Sequence, residues 1–162
     1  MKLLMKSCSQ YVEFQGDANK YKSWKYLKNY PFPRSAVLTR FLREEMKFSN
    51  FGAYGYLEIV KYLVESGADV QAQNNQALIN ASRSNHFEVV KYLIENGANI
   101  QDQDNLALIY ACYYNCLKIV KYLIDQGADV QARSNQALVN AKKNNEFKLI
   151  ELLVKYGAKI PE

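Results

Sequence analysis

The sequence predicts an all-α fold, a solenoid of stacked helix–turn–helix units. Three observations predict it. One segment recurs with a fixed period: "KYLVESGADV" ends at Val70, "KYLIENGANI" at Ile100, "KYLIDQGADV" at Val130 and "ELLVKYGAKI" at Ile160, a spacing of 30 residues each time. A period of this size is the mark of stacked supersecondary units. Within each copy the apolar residues fall at helical spacing twice. Neither helix reaches the roughly 12 residues at which an isolated helix becomes marginally stable in water, so each must bury its apolar stripe on a neighbour.

The second copy, "NNQALINASRSNHFEVVKYLIENGANI", shows the elements in order. Asn75 is placed to cap a first helix whose apolar positions include Leu78 and Ala81. Asn85 ends it, because asparagine tolerates the left-handed conformation of a helix stop. A second helix is expected from Phe87 to Glu95, with Val89, Val90, Leu93 and Ile94 on its apolar face. Gly97 stops it, as Gly67, Gly127 and Gly157 do in the other copies. The links "QAQNN", "QDQDN" and "QARSN" are short and polar.

The four in-phase copies, the "LEIVKYLVESGAD" second helix, the small pair Ala111–Cys112 and the Gly-Ala-Asp ending resemble the ankyrin repeats, over roughly residues 41–160. The 30-residue unit resembles in particular the short repeats of giant amoeba-infecting DNA viruses. The resemblance implies a non-enzymatic protein–protein interaction module; for a virus-encoded chain, the partner would be a host protein. Against the family's usual length of about 33 residues, the three missing ones fall between Ile100 and Ala107, so shortened β-turn fingers are expected. Of the family's Thr-Pro-Leu-His motif, "QALI", "LALI" and "QALV" keep only the buried leucine; Asn75, Asn105 and Asn135 are expected to take over the capping.

The organisation expected is a basic, aromatic segment over residues 1–33 followed by the array over 34–162. The array divides into a cap with a degenerate first repeat (34–70) and repeats at 71–100, 101–130 and 131–162. "PRSAVLTRFLREEMKF" supplies the N-terminal cap, with Val37, Leu38, Phe41, Leu42 and Met46 on one side. Phe51 stands where the other copies have Ala81, Ala111 and Ala141. Either the first helix is shifted, or residues before Phe48 take its place. The fourth copy is more polar at Lys142, Lys143, Asn144, Asn145 and Glu146, as a self-capping unit would be.

Charge and chemistry narrow the function. Residues 1–50 hold ten Lys/Arg and four Asp/Glu; residues 51–162 hold eleven and twelve, so the net charge of +5 belongs to the N-terminal part. That segment, with Tyr21, Trp24, Tyr26 and Tyr30, carries the second reading, nucleic-acid binding; a structural or self-assembly role is the third. No run of about 18 apolar residues marks a membrane span, and the start lacks a signal-peptide core. An intracellular monomer is expected, with Cys8, Cys112 and Cys116 as reduced thiols. No glycine-rich phosphate loop, paired carboxylate or nucleophile–base pair stands out of phase, so neither an enzyme nor a cofactor is expected. His86 is the chain's one histidine and sits at a structural phase. The cysteines of "YACYYNC" align with Ser82 and Lys142 and with His86 and Glu146, so they do not read as a metal pair.

Positions that vary between copies are the candidates for recognition. They form the series Asn80–Tyr110–Asn140, Arg83–Tyr113–Lys143 and Ser84–Tyr114–Asn144, with Ala53 and Tyr54 extending the last two into the first copy. By the resemblance these lie on the concave side, with loop tips at Asn74, Asp104 and Arg133. The protein-binding set is therefore Tyr54, Asn80, Arg83, Tyr110, Tyr113, Tyr114, Arg133 and Lys143. Tyr62, Tyr92 and Tyr122 are the same in three copies and read as packing between repeats.

Overall fold

The computed structural model describes residues 48–159; the expectations for residues 1–33 and for the cap over 34–47 lie outside the described residues. Eight helices follow one another, and no strand occurs among the described residues. An inner helix and an outer helix alternate: α1 (Phe48–Tyr54), α2 (Leu57–Glu65), α3 (Ala72–Arg83), α4 (Phe87–Glu95), α5 (Asp102–Tyr113), α6 (Leu117–Asp125), α7 (Ala132–Lys143) and α8 (Phe147–Lys155). The inner helices α1, α3, α5 and α7 pack closely in a row, while the outer helices touch one another much less. The inner side is thus the tight side of the stack.

Helix stops explain the periodic Gly-Ala and Asn. In the second repeat Gly97 N–H donates to Ile94 O (3.0 Å) and Ala98 N–H to Leu93 O (3.0 Å), with Gly97 at φ 93°. This is the paired-bond stop that requires a left-handed residue, and it recurs at Gly67, Gly127 and Gly157. Inner helices use the same stop with asparagine: Asn85, Asn115 and Asn145 sit at φ 61°, 55° and 56°. The core between the two layers is aliphatic, built from Leu78, Leu108 and Leu138 of the inner helices and Val90, Leu93, Val120 and Leu123 of the outer ones, all fully buried. Ala81, Ala111 and Ala141 are buried where the inner helices approach their neighbours.

The fingers are short, and their capping differs from expectation. Each is a turn followed by three consecutive left-handed residues, Gln73–Asn74–Asn75, Gln103–Asp104–Asn105 and Arg133–Ser134–Asn135. Left-handed backbone costs an ordinary residue about 1–2 kcal/mol, and Asn, Asp and Ser, which can bond their own backbone, fill most of these sites. The asparagines do not cap their own helices with their side chains. Asn75 Oδ1 instead accepts from Asn99 N–H (2.8 Å), Asn105 Oδ1 from Asp129 N–H (2.8 Å) and Asn135 Oδ1 from Lys159 N–H (2.9 Å). Each asparagine therefore pins the start of the next finger. Beside them Gln71, Gln101 and Gln131 donate through Nε2 to Gly97 O (2.7 Å), Gly127 O (3.3 Å) and Gly157 O (2.8 Å). Asp69, Asn99 and Asp129 close each turn by accepting from those glutamines' own N–H groups.

The first repeat is in phase, so its helix is not shifted. Gly55 N–H donates to Gly52 O and Tyr56 N–H to Phe51 O, the same bonds that Asn85 and His86 make. Phe51 fits and is buried. Its neighbour Gly52 accompanies the change: a Cβ there would lie 2.5 Å from Ala77 O, so α1 and α3 approach at a residue without a side chain. His86 Nε2 donates to Ala53 O (2.9 Å), and its ring lies where a Gly55 side chain would be.

The fourth repeat exposes two apolar side chains whose counterparts in the second repeat are better covered. Val139 is 39% exposed, against 2% and 5% for its counterparts Ile79 and Ile109. Phe147 is 78% exposed, whereas its counterpart Phe87 stacks edge-on against Tyr122 (5.4 Å) and beneath Lys118 (3.6 Å) of the following repeat.

Candidate functional site

The side chains singled out by their variation separate into two groups. Asn80 is the first correction: it was expected to be exposed and is buried. Its Nδ2 donates to Ser49 O of the preceding repeat (3.1 Å), and its Oδ1 accepts from Gln76 Nε2 (3.0 Å). Asn140 repeats the arrangement with Ile109 O (3.4 Å) and Gln136 (2.9 Å). A polar pair thus ties inner helices together in the second and fourth repeats. In the third, Leu106 and Tyr110 replace both members at once. Arg133 is exposed but engaged, with Nη2 donating to Gln103 O (3.0 Å) and Nε 3.7 Å from the Asp104 carboxylate. It links two fingers.

The tyrosines form the other group. The C-terminal end of α5 carries Tyr110, Tyr113 and Tyr114 on consecutive turns. Tyr113 and Tyr114 meet edge to face with ring centroids 5.0 Å apart, and Tyr110 lies 6.5 Å from Tyr114. Tyr110 is half-buried, while Tyr113 and Tyr114 are 44% and 53% exposed. Asn144 Nδ2 donates to Tyr113 O (2.8 Å), fixing the last turn of α5 against α7. Tyr54, at the register of Tyr114 in the first repeat, is exposed and lies 5.8 Å from the Tyr56 ring. Arg83 and Lys143 are exposed at the register of Tyr113 in the two flanking repeats.

Tyr92 and Tyr122 behave as packing residues. Burial, then the carboxylate of Glu65 or Glu95 in the preceding repeat, raises their hydroxyl pKa values. Lys61 lies 6.0 Å from the Tyr92 ring centroid. The thiols are inert by position. Both Cys112 and Cys116 are buried; burial, with a smaller contribution from Cys116, pushes the Cys112 thiol up to about 12. Among the described residues no group of three or more His, Cys, Asp or Glu side chains could hold a metal ion, and no helix is long and apolar enough to cross a membrane.

The sequence reading missed the finger ladder and the Gln–Asn ties. The ladder's signal was constancy of a polar residue, since Gln71, Gln101 and Gln131, like Asn75, Asn105 and Asn135, do not change between copies; the ties' signal was joint change, Gln76 with Asn80 giving way to Leu106 with Tyr110.

Comparison with known proteins agrees with this architecture. A search of the curated proteins finds no match. The family described as ankyrin repeats (3 copies) matches residues 50–134 and, in a second overlapping match, 99–162. Such repeats generally mediate protein–protein interaction and are typically non-enzymatic. The paired helices, the fixed stops and this match together place the chain in the ankyrin-repeat family.

Proposed function

We propose that this chain is a non-enzymatic module that binds a protein partner through the tyrosine patch of its inner helices. Tyr113 and Tyr114 form its centre, Tyr110 and Tyr54 extend it, and Arg83 and Lys143 flank it. One observation carries the reading: two large aromatic side chains stay exposed while locked edge to face on a helix held by its neighbours. Rings fixed in this way lose little conformational entropy on contact, and tyrosine and arginine dominate interface hot spots, where truncation costs about 2 kcal/mol or more. Asn80 and Arg133 drop out of the binding set because their side chains are spent within the array.

The test is a paired variant, Tyr113→Ala with Tyr114→Ala, used as bait in a cell extract beside the parent chain. Helical content and melting temperature stay unchanged and the partner captured by the parent is lost. A large drop in melting temperature would show that the rings are packing residues. Undiminished capture would place the site elsewhere.

A further inference from the structure

Resting on that reading, we infer the chemistry of the partner: an extended acidic segment with two carboxylates about five or six residues apart and an apolar residue between them. Charge is segregated in this array. The inner-helix stretches 48–55, 76–85, 106–115 and 136–145 contain no Asp or Glu; they hold Arg83, Lys142 and Lys143. The acidic side chains of the described residues lie on the outer helices, on the fingers and at Glu146. Lys61, Lys91, Lys118 and Arg133, outside the inner stretches, each pair with a carboxylate within 4 Å. Beyond Asp102 and Asp104 at the finger end of α5, the inner side therefore presents, among the described residues, aromatic rings and cations with no acid.

Geometry sets the spacing. Arg83, Tyr113 and Lys143 occupy the same register in consecutive repeats, so they lie in line along the stack. Packed helices are about 8–10 Å apart, which puts the two cations roughly 16–20 Å from each other across the tyrosines. An extended peptide rises about 3.3 Å per residue, so that span corresponds to five or six residues. The midpoint residue meets Tyr113 and Tyr114 and is apolar. A single-stranded nucleic acid fits less well, because affinity for phosphates grows with the number of cations engaged; this side has three, with Asp102 and Asp104 on the adjoining finger.

Exposed cations act mainly on encounter rate and selectivity, whereas the rings hold the partner. The experiment is selection of random 12-residue peptides displayed against the immobilised full chain, with the enriched peptides then measured by fluorescence anisotropy. Enriched sequences should carry two Asp or Glu five or six residues apart around an apolar residue. Arg83→Gln with Lys143→Gln should weaken them about five- to tenfold in low salt, mostly through association rate, and 0.5 M NaCl should erase that difference. Enrichment of neutral or basic peptides that still need Tyr113 and Tyr114 would overturn the acidic partner and leave the tyrosine site standing. Enriched peptides indifferent to the tyrosines, or no enrichment at all, would count against both. Tyrosine-dependent binding of oligo-dT tighter than that of any selected peptide would also overturn the inference.

Discussion

Replacing Asn105 by alanine removes one rung of the ladder between fingers and leaves a methyl group in left-handed backbone. The side chain is buried, and its Oδ1 accepts from Asp129 N–H at 2.8 Å. Asp129 is exposed and the bond part-buried, so its loss costs about 1–1.5 kcal/mol. The residue sits at φ 62°, where alanine adds about 1–2 kcal/mol that asparagine largely avoids. Asn105→Ala should therefore lose about 3 kcal/mol. Asn105→Gly loses the same bond but relieves the backbone; allowing for its freer unfolded chain, it should lose about 2 kcal/mol. Urea unfolding followed by helical circular dichroism measures both. With a slope of about 2 kcal/mol per M, the midpoints fall by roughly 1.5 M and 1 M. An Asn105→Ala protein within about 0.5 kcal/mol of the parent would refute the rung. A glycine variant less stable than the alanine variant would refute the backbone argument.

Gly52→Ala should destabilise by about 1 kcal/mol: helix propensity favours alanine by roughly that amount, but a Cβ 2.5 Å from Ala77 O overpacks a backbone contact, at about 1–3 kcal/mol; a raised melting temperature would contradict the close approach. Phe87→Ala, which loses the Tyr122 and Lys118 contacts, should cost about 1–2 kcal/mol, whereas Phe147→Ala at the same phase should change urea stability by less than about 0.5 kcal/mol; equal effects would deny the difference in packing. The Cys112 thiol, raised to about 12 in the fold from an ordinary value of 9.0, keeps its proton in the folded state while the unfolded chain ionises. Its stabilising contribution is complete below pH 9 and falls by about 1.4 kcal/mol per pH unit between pH 9 and 12. Between pH 7 and pH 10 the parent should thus lose about 1.4 kcal/mol more than Cys112→Ala does, and identical pH profiles would disprove it.

Much of the fold was legible because repetition separates constraint from accident. The outer helix was readable from Phe87 to Glu95, the bounds found, because Gly97 fixes its end and the apolar alternation its face. The left-handed run was not, since Gln73, Gln103 and Arg133 have no preference for positive φ; the closing of the finger imposes it. Asn75 was recognised as structural but given the wrong partner. An asparagine at a helix start can satisfy its own helix or a neighbouring chain segment, and local sequence is the same in both cases. Asn80 failed for a subtler reason. Tyr110 between Asn80 and Asn140 made the position look free, whereas Gln76 and Gln136 change to Leu106 in step with it. The pair varies, not the residue. Tyr113 and Tyr114 were legible as exposed because their series runs through Arg, Lys, Ser and Asn with no such companion.

The rungs of the ladder share constant sequence separations, 24 residues for the asparagine bonds and 26 for the glutamine bonds. Excising residues 101–130 would join Ile100 to Gln131, and every surviving rung would keep its donor, its acceptor and its separation. A gene encoding such a chain can gain or lose whole copies by unequal recombination without reopening the packing problem. Only the row of inner-face side chains is rewritten, so copy number becomes a way to change what is recognised while the fold stays the same.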